Sequence, residues 1–406
     1  MLQTILNAHS LFSGERADRP FLESLSVPED RLNRLRDARN RARATITDAF
    51  RDWQNLAPDK TVIERAYMRA GKPLPKLRPK FRRQGSYGYR TLNLPAYSWQ
   101  QIDFDDGMFL PISFFIQKGV QSPALTSDGY FFLVEKALEP LCKVQGWKLV
   151  PKDCCVRVEL DARSHLDIAL YAIPDQEYQT LIETAIRADS AQDTALLAYD
   201  RFAEKAYHEL NADTIMLAQR SEGWTESDPR AIEDWFLEAL ATHGEQLRRI
   251  CRYIKAWRDF RWRVASRVSS ITLMKCAVDV FDSFRGSFDN ARDDAALLMV
   301  ASKLPDYFAS ANGITNPVLA KALNGEWTPK QRAEYVEAAK ALHRSVSDAI
   351  QRSPDPAFSL ARFVEALGSR IPDDPDLIVP VTAERLIRSY AAKKVPVPDV
   401  VRTRSG

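Results

Sequence analysis

Short stretches in the first half of the chain alternate apolar and polar side chains with a period of two. In Gln101-Ile102-Asp103-Phe104-Asp105, the apolar Ile102 and Phe104 fall on one face and Asp103 and Asp105 on the other, the pattern of a half-buried strand. Arg157-Val158-Glu159-Leu160-Asp161 and His165-Leu166-Asp167-Ile168-Ala169-Leu170 alternate in the same way, and Ala162-Arg163-Ser164 between them predicts the turn of a hairpin. Leu166, Ile168 and Leu170 then share a face and leave Asp167 on the other. Elsewhere the period is helical. Leu32, Leu35, Ala38, Ala42, Ile46 and Phe50 form one stripe, and Phe131, Val134, Ala137, Leu138 and Leu141 another within Tyr130 to Val144.

A break follows the first stripe, where Gly71-Lys72-Pro73-Leu74-Pro75-Lys76-Leu77-Arg78-Pro79 cannot continue a short helix expected near Lys60 to Ala70. Asp175 to Glu209 reads as a polar, mostly helical, peripheral segment. Ser227-Asp228-Pro229 carries a helix start, an N-cap residue followed by proline at the first helical position. Beyond it the pattern is almost purely helical: Ile232, Trp235, Phe236 and Ala239, an interruption at Gly244, then Leu247, Ile250, Ile254 and Trp257. Thr328-Pro329 opens a further helix through Tyr335, Ala338, Leu342, Val346 and Ile350. The chain is therefore expected to be α+β: an α/β lobe over residues 1–225, a helical lobe over 226–390, and an extended tail over 391–406.

Composition narrows the class. The 406 residues are 45% hydrophobic, enough for a large core, and no apolar run approaches the ~18 residues of a membrane span. No secretory signal is evident at the N-terminus, and the five cysteines include no C-x-x-C pair, so the chain is expected to be cytoplasmic with reduced, buried cysteines and no zinc module. The net charge of +3 argues against an obligatory nucleic-acid partner. Its one concentration is Arg31, Arg34, Arg36, Arg39, Arg41 and Arg43, on the outer face of the first long helix; this is either a solvated face partly paired with acids or a site for nucleic acid or an anionic regulator.

The candidate chemistry lies between Arg82 and Pro111. Two carboxylates abreast on one strand face repel each other unless a cation lies between them, and an oxygen-only site with phosphate nearby suits magnesium. Asp106 falls on the opposite face. Upstream, Gln84-Gly85-Ser86 is a turn able to offer backbone N–H groups and a hydroxyl to an anion. Asp167 is the candidate third carboxylate, with Asp161 at the turn as the alternative. In the helical half, Lys255 lies beside the apolar stripe, and Ser269 or Ser270 would cap the next helix. On residue chemistry alone, Lys255 as a surface lysine, the serines as plain caps and Tyr89 as a core tyrosine stay open.

QGSYGYRTLN, QIDFDDGMFLP and HLDIALY, over about Phe81 to Tyr171, closely resemble the bacterial cGAS/DncV-like nucleotidyltransferases, the Vibrio-type dinucleotide cyclase branch in particular. The resemblance implies a bilobal, polymerase-β-like nucleotidyltransferase fold with a mixed-sheet catalytic lobe and a helical lobe. It implies Asp103, Asp105 and Asp167 as catalytic ligands of two Mg2+ ions, with Mn2+ able to substitute. Gln84, Gly85, Ser86, Lys255 and Ser269 would bind nucleotide, and Tyr89 would stack on a base. The implied activity is synthesis of a cyclic dinucleotide, 3',3'-cGAMP-like, from ATP and GTP for anti-phage signalling, its diffusible product reaching a separate effector. A tail ending in Gly406 is, by the same resemblance, a conjugation site for a partner conjugating enzyme. An RNA-tailing or small-molecule adenylating nucleotidyltransferase, and a retired nucleotide-binding protein, are the competing readings.

Overall fold

The computed structural model describes residues 5–53, 77–177 and 215–381, apart from 15, 113, 118–119, 124, 178, 228, 264–267, 312 and 320, with isolated positions at 56, 68, 179–180 and 209. The expected short helix near Lys60, most of the segment from Asp175 to Glu209, and the tail with Gly406 lie outside these residues.

The first apolar stripe becomes helix α1, Glu29–Arg51, which buries Leu35, Ala42, Ile46 and Phe50. Strand β1, Lys80–Arg83, and strand β2, Ile102–Ile112, follow. The second stripe is helix α2, Ser127–Gln145, which starts where Thr126 accepts a bond from the Gly129 N–H at 3.1 Å and stops at Gly146 in a left-handed conformation. Strands β3, Lys148–Pro151, β4, Val156–Asp161, and β5, Ser164–Pro174, come next, then β6, Met216–Gln219, and β7, Gly223–Glu226.

These strands form one mixed sheet in the order β7-β6-β5-β2-β1, with β4 beside the first half of β5 and β3 outside β4. The β2–β5 pair is parallel and central, so α2 and the β3–β4 hairpin form the crossover that such a pair requires. Helix α1 and α2 cover one face, burying Phe104, Leu166, Ile168 and Leu170 beneath them. The opposite face is left to Asp103, Asp105 and Asp167.

The helical lobe contains α3, Pro229–His243, α4, Glu245–Arg261, α5, Ser270–Ser283, α6, Asp293–Ala309, α7, Pro329–Ser347, and α8, Pro356–Leu367. Gly244, at φ +78°, separates α3 from α4, as its place in the pattern predicts. Thr328 and Gln331 form a reciprocal capping box at the start of α7.

Strand β7 ends at Glu226 and α3 begins at Pro229, but the start of the chain does not pack with the sheet. Leu6, Ala8, Leu11, Phe12, Phe21 and Leu25 belong to the core of the helical lobe. Phe12 packs 5.1 Å from both Tyr253 and Phe363, and Leu6–Asn7 pairs antiparallel with Val379–Pro380. Local patterning shows that a segment has an apolar face, not which distant lobe covers it.

The α1 arginines follow the paired-face reading, and one further expectation, on the cysteines, changes. The arginines of α1 are mostly engaged: Arg34 with Asp30, Arg41 with Asp37, Arg36 with Glu29, and Arg31 with the Arg163 carbonyl. Arg39 lies over the Tyr87 and Phe104 rings, and Arg43 forms a two-pronged ion pair with the buried Asp106. The basic face is thus largely structural. Cysteines 142, 155, 251 and 276 are buried free thiols, but Cys154 is exposed, contrary to a reading of all five as core residues.

Candidate active site

The parallel register of β2 and β5 sets Asp105 directly beside Asp167 and Asp103 beside His165. Two carboxylates from one strand and one from its neighbour thus meet on the uncovered face. Gly85 closes in from above. It begins a single helical turn, Gly85–Gly88, at φ +59°, and a Cβ there would lie 1.9 Å from the Asp105 Oδ2. Glycine is needed twice over at this position, for the left-handed backbone and for the carboxylate it rests on.

Burial, with Asp103 and Asp167 alongside, pushes the Asp105 carboxyl up to about 8. Burial also pushes Asp103 upward, but its hydrogen bond and charge interaction with His165 prevail and leave it below the usual carboxylate range. His165 bridges Gln101 Oε1 at 3.0 Å and Asp103 Oδ1 at 2.9 Å, fixing that carboxylate where it opens to the cleft. Arg157, opposite Asp167 on β4, grips both its oxygens at 2.7 and 2.6 Å.

A cleft of about 820 Å³ lies over this cluster, between the lobes, and takes in Gly85, Ser86, Tyr89, Asp103, Asp105, Arg157, His165, Lys255 and Ser269. Its far wall is held by side chains that staple the 91–100 loop to α4. Asn93 exchanges bonds with Arg252, the Tyr97 hydroxyl donates to the Phe260 carbonyl at 2.9 Å, and the Gln100 amide donates to the Asp259 carbonyl at 2.8 Å. Lys255 is buried in this wall with its Nζ 2.7 Å from the Thr91 carbonyl, which corrects its reading as a surface lysine. Burial brings its amine down to about 8. Ser269, rather than Ser270, caps α5 and accepts from the Thr272 N–H at 3.2 Å, so the positive end of a 14-residue helix faces the cleft.

Not every expected residue comes to the cleft in the same way. Asp167 lies behind Arg157, 13% exposed. The Gln84 side chain is corrected: it lies against Gly107 and accepts from the Tyr171 hydroxyl at 3.4 Å, away from the cleft. Tyr89 reaches the cleft but packs edge-on against Phe236 at 6.1 Å, with its hydroxyl pushed up by burial. Asp161 turns out to solvent and accepts from the Arg163 N–H, and Asp106 faces α1. Sequence reasoning missed Arg157, His165 and Trp99. The Trp99 indole is 58% exposed in the cleft, stacked 4.7 Å from Tyr97.

A mixed sheet bearing three carboxylates, faced across a cleft by a buried lysine and a helix N-terminus, defines a nucleotidyltransferase. The chain belongs to the DncV-like cyclic GMP-AMP synthase family. The model of the family described as "Cyclic GMP-AMP synthase DncV-like, nucleotidyltransferase domain" matches residues 79–171, and that of the "Cyclic GMP-AMP synthase, C-terminal domain" matches residues 244–380. A cyclic GMP-AMP synthase of Escherichia coli (strain TW11681) is 31% identical over 325 residues, which is 78% of this chain and 71% of the relative. The cyclic GMP-AMP synthase of Vibrio cholerae serotype O1 is 34% identical over 251 residues, 59% of this chain and 55% of that one. The crystal structure of Vibrio cholerae DncV cyclic AMP-GMP synthase with the linear intermediate 5' pppA(3',5')pG superposes with a TM-score of 0.75 at 25% identity, covering 94% of this chain and 100% of that chain. The structure of the same dinucleotide cyclase with GTP and 5MTHFGLU2 has a TM-score of 0.75 at 25% identity, over 93% and 100% of the two chains.

Proposed function

We propose that this nucleotidyltransferase joins ATP and GTP into a cyclic dinucleotide by two successive nucleotidyl transfers in the one cleft. The observation that carries the reading is the placement of Asp105 beside Asp167, with Asp103 two residues before, beneath the buried Lys255 and the α5 N-terminus. The relatives solved with GTP and with a linear pppA(3',5')pG intermediate support the choice of substrates.

The donor set fits divalent cations. Asp105 stands beside Asp167 and two residues from Asp103 on the open face of the sheet, and all three carboxylates offer oxygen. Asp103 and Asp105 would hold two magnesium ions and Asp167 would complete one of them; the ions, when bound, supply neutralisation of phosphate charge. Arg157 need not leave, because a carboxylate has about four lone-pair sites. His165 keeps Asp103 aimed at the cleft. Lys255, the Gly85-Ser86 turn and the capped α5 would grip the triphosphate, leaving pyrophosphate free to depart in line.

In the cell the enzyme would act in the cytoplasm, its diffusible product activating a separate effector in anti-phage defence. Incubation with the four labelled nucleoside triphosphates and magnesium, followed by phosphatase, tests the chemistry. The expected product requires ATP and GTP together and resists phosphatase. A phosphatase-sensitive chain points to a tailing enzyme, and no product to a retired site; either overturns the reading.

A further inference from the structure

Trp99 lines the cleft from the 91–100 loop, yet it stays 58% exposed. Every other tryptophan of the chain is buried or half-buried. The indole is nevertheless held in place. Its Nε1–H donates to the Arg263 carbonyl at 3.1 Å, just past the end of α4. Tyr97 lies along it, ring centres 4.7 Å apart and planes 12° from parallel, and Phe260 lies 6.1 Å from Tyr97 at 16°. Gln100 braces the loop itself, its Oε1 accepting from the Ala96 and Tyr97 N–H groups at 3.0 and 3.2 Å.

A flat ring has two faces. Tyr97 covers one face of the indole, and the exposure belongs to the other. An aromatic plane fixed from behind and wet in front is a surface on which any heterocyclic base can stack. Because Tyr97 and the Arg263 carbonyl already immobilise the indole, little side-chain freedom is lost when a base settles there. Arg263 also lines the cleft, its guanidinium 5.6 Å from the Tyr97 ring centre, so a cation flanks the stack on the side chain of the same residue. A cleft that joins two nucleotides must seat two bases. Tyr89 follows the Gly85 turn and packs against Phe236, whereas Trp99 is tied to the end of α4, so the two rings belong to different parts of the wall.

We propose that Trp99 is the stacking platform for the base of one of the two purine nucleotides, distinct from Tyr89. It favours a purine over a pyrimidine because a fused ring system covers more of the indole face. The identity of the bases rests on the nucleotidyltransferase reading; stacking on Trp99 is measured without turnover.

Isothermal titration of the full-length protein, with magnesium and analogues of ATP and GTP methylene-bridged between the α and β phosphates, reads binding in the absence of transfer. Trp99→Leu keeps an apolar side chain but has no ring. It should weaken one of the two analogues by about 5- to 150-fold, the equivalent of roughly 1–3 kcal/mol for one stacked base. Trp99→Phe loses the indole N–H but keeps a ring, and should bind close to wild type. The corresponding CTP analogue should bind the wild type more weakly and lose less in Trp99→Leu. In turnover, Trp99→Leu should raise KM for the same nucleotide with little change in kcat. Nucleotide should also quench tryptophan fluorescence in the wild type, and much of that quenching should vanish in Trp99→Phe.

The proposal is overturned if Trp99→Leu binds both purine analogues like the wild type, or if the quenching is unchanged in Trp99→Phe. It is also overturned if Trp99→Phe binds as weakly as Trp99→Leu, because the side chain then acts only through its hydrogen bond to Arg263, as a staple between the loop and α4. A protein that binds the analogues through Trp99 but turns over no substrate contradicts the assigned reaction instead and leaves the platform standing.

Discussion

Gly85→Ala is a one-carbon change that removes no functional group, and the structure assigns it a severe effect. The added Cβ would sit 1.9 Å from Asp105 Oδ2 and 2.6 Å from its Cγ. An ordinary carbon–oxygen contact needs more than an ångström of further separation, and the backbone at φ +59° is itself unfavourable for alanine by about 1–2 kcal/mol. The relief available is to push the Asp105 carboxylate away. A misplacement of about 1 Å in a catalytic group costs on the order of 100-fold in rate. Gly88→Ala is the control, since its Cβ would meet nothing closer than the Arg83 carbonyl at 3.5 Å. Initial rates of pyrophosphate release, with thermal melting in parallel, decide the matter. Gly85→Ala should melt only slightly earlier yet lose about two orders of magnitude in rate, while Gly88→Ala stays near wild type. A fully active Gly85→Ala enzyme would refute the contact and the role given to Asp105.

Asp106→Ala should lower stability by about 3–5 kcal/mol in denaturant melts, because it strands Arg43 beside a buried site, and Arg43→Met in the same chain should recover much of the loss. Lys255→Ala should raise the apparent KM for nucleotide more than it lowers kcat, as loss of a charge-assisted phosphate contact would. Without metal, Asp105, with its folded pKa raised from 3.8 to about 8, binds a proton more tightly when folded, so stability should fall as pH rises between those values. Lys255, lowered from 10.5 to about 8, works the other way and should restore stability between about 8 and 10.5. Melting temperature in a chelator should therefore pass through a minimum near pH 8, and magnesium should flatten the acid side of it. A monotonic profile would contradict both environments.

How much of this was legible depended on how local the determinant is. The alternation in Ile102–Asp105 and Leu166–Leu170 carries its own face assignment, so the three carboxylates, the separate orientation of Asp106 and the turn position of Asp161 could be read directly. Gly244 and Thr328-Pro329 mark helix ends by chemistry that needs no partner. Arg157 could not be read in this way. Counting outward from the Asp161–Ser164 pair would set Arg157 against Ile168, but an irregularity between Glu159 and Asp161 shifts the hairpin by one residue and brings it to Asp167. His165 depends on a parallel register between strands some sixty residues apart, which no local pattern encodes. Lys255 looked like a surface lysine because its cover, Thr91 and the 91–100 loop, comes from the other lobe. Leu6, Ala8, Leu11, Phe12, Phe21 and Leu25 likewise find their cover in the distant helical lobe.

The most direct test of the central claim is the position of metal. Crystals grown with manganese and a non-hydrolysable ATP analogue would show by anomalous scattering where the ions bind. The account predicts two peaks bridged by Asp103 and Asp105, one of them also reached by Asp167, with the triphosphate running toward Lys255 and Ser269. Ions held by His165 and Asp167 while Asp105 stays unengaged, or no ion in this cleft at all, would contradict it.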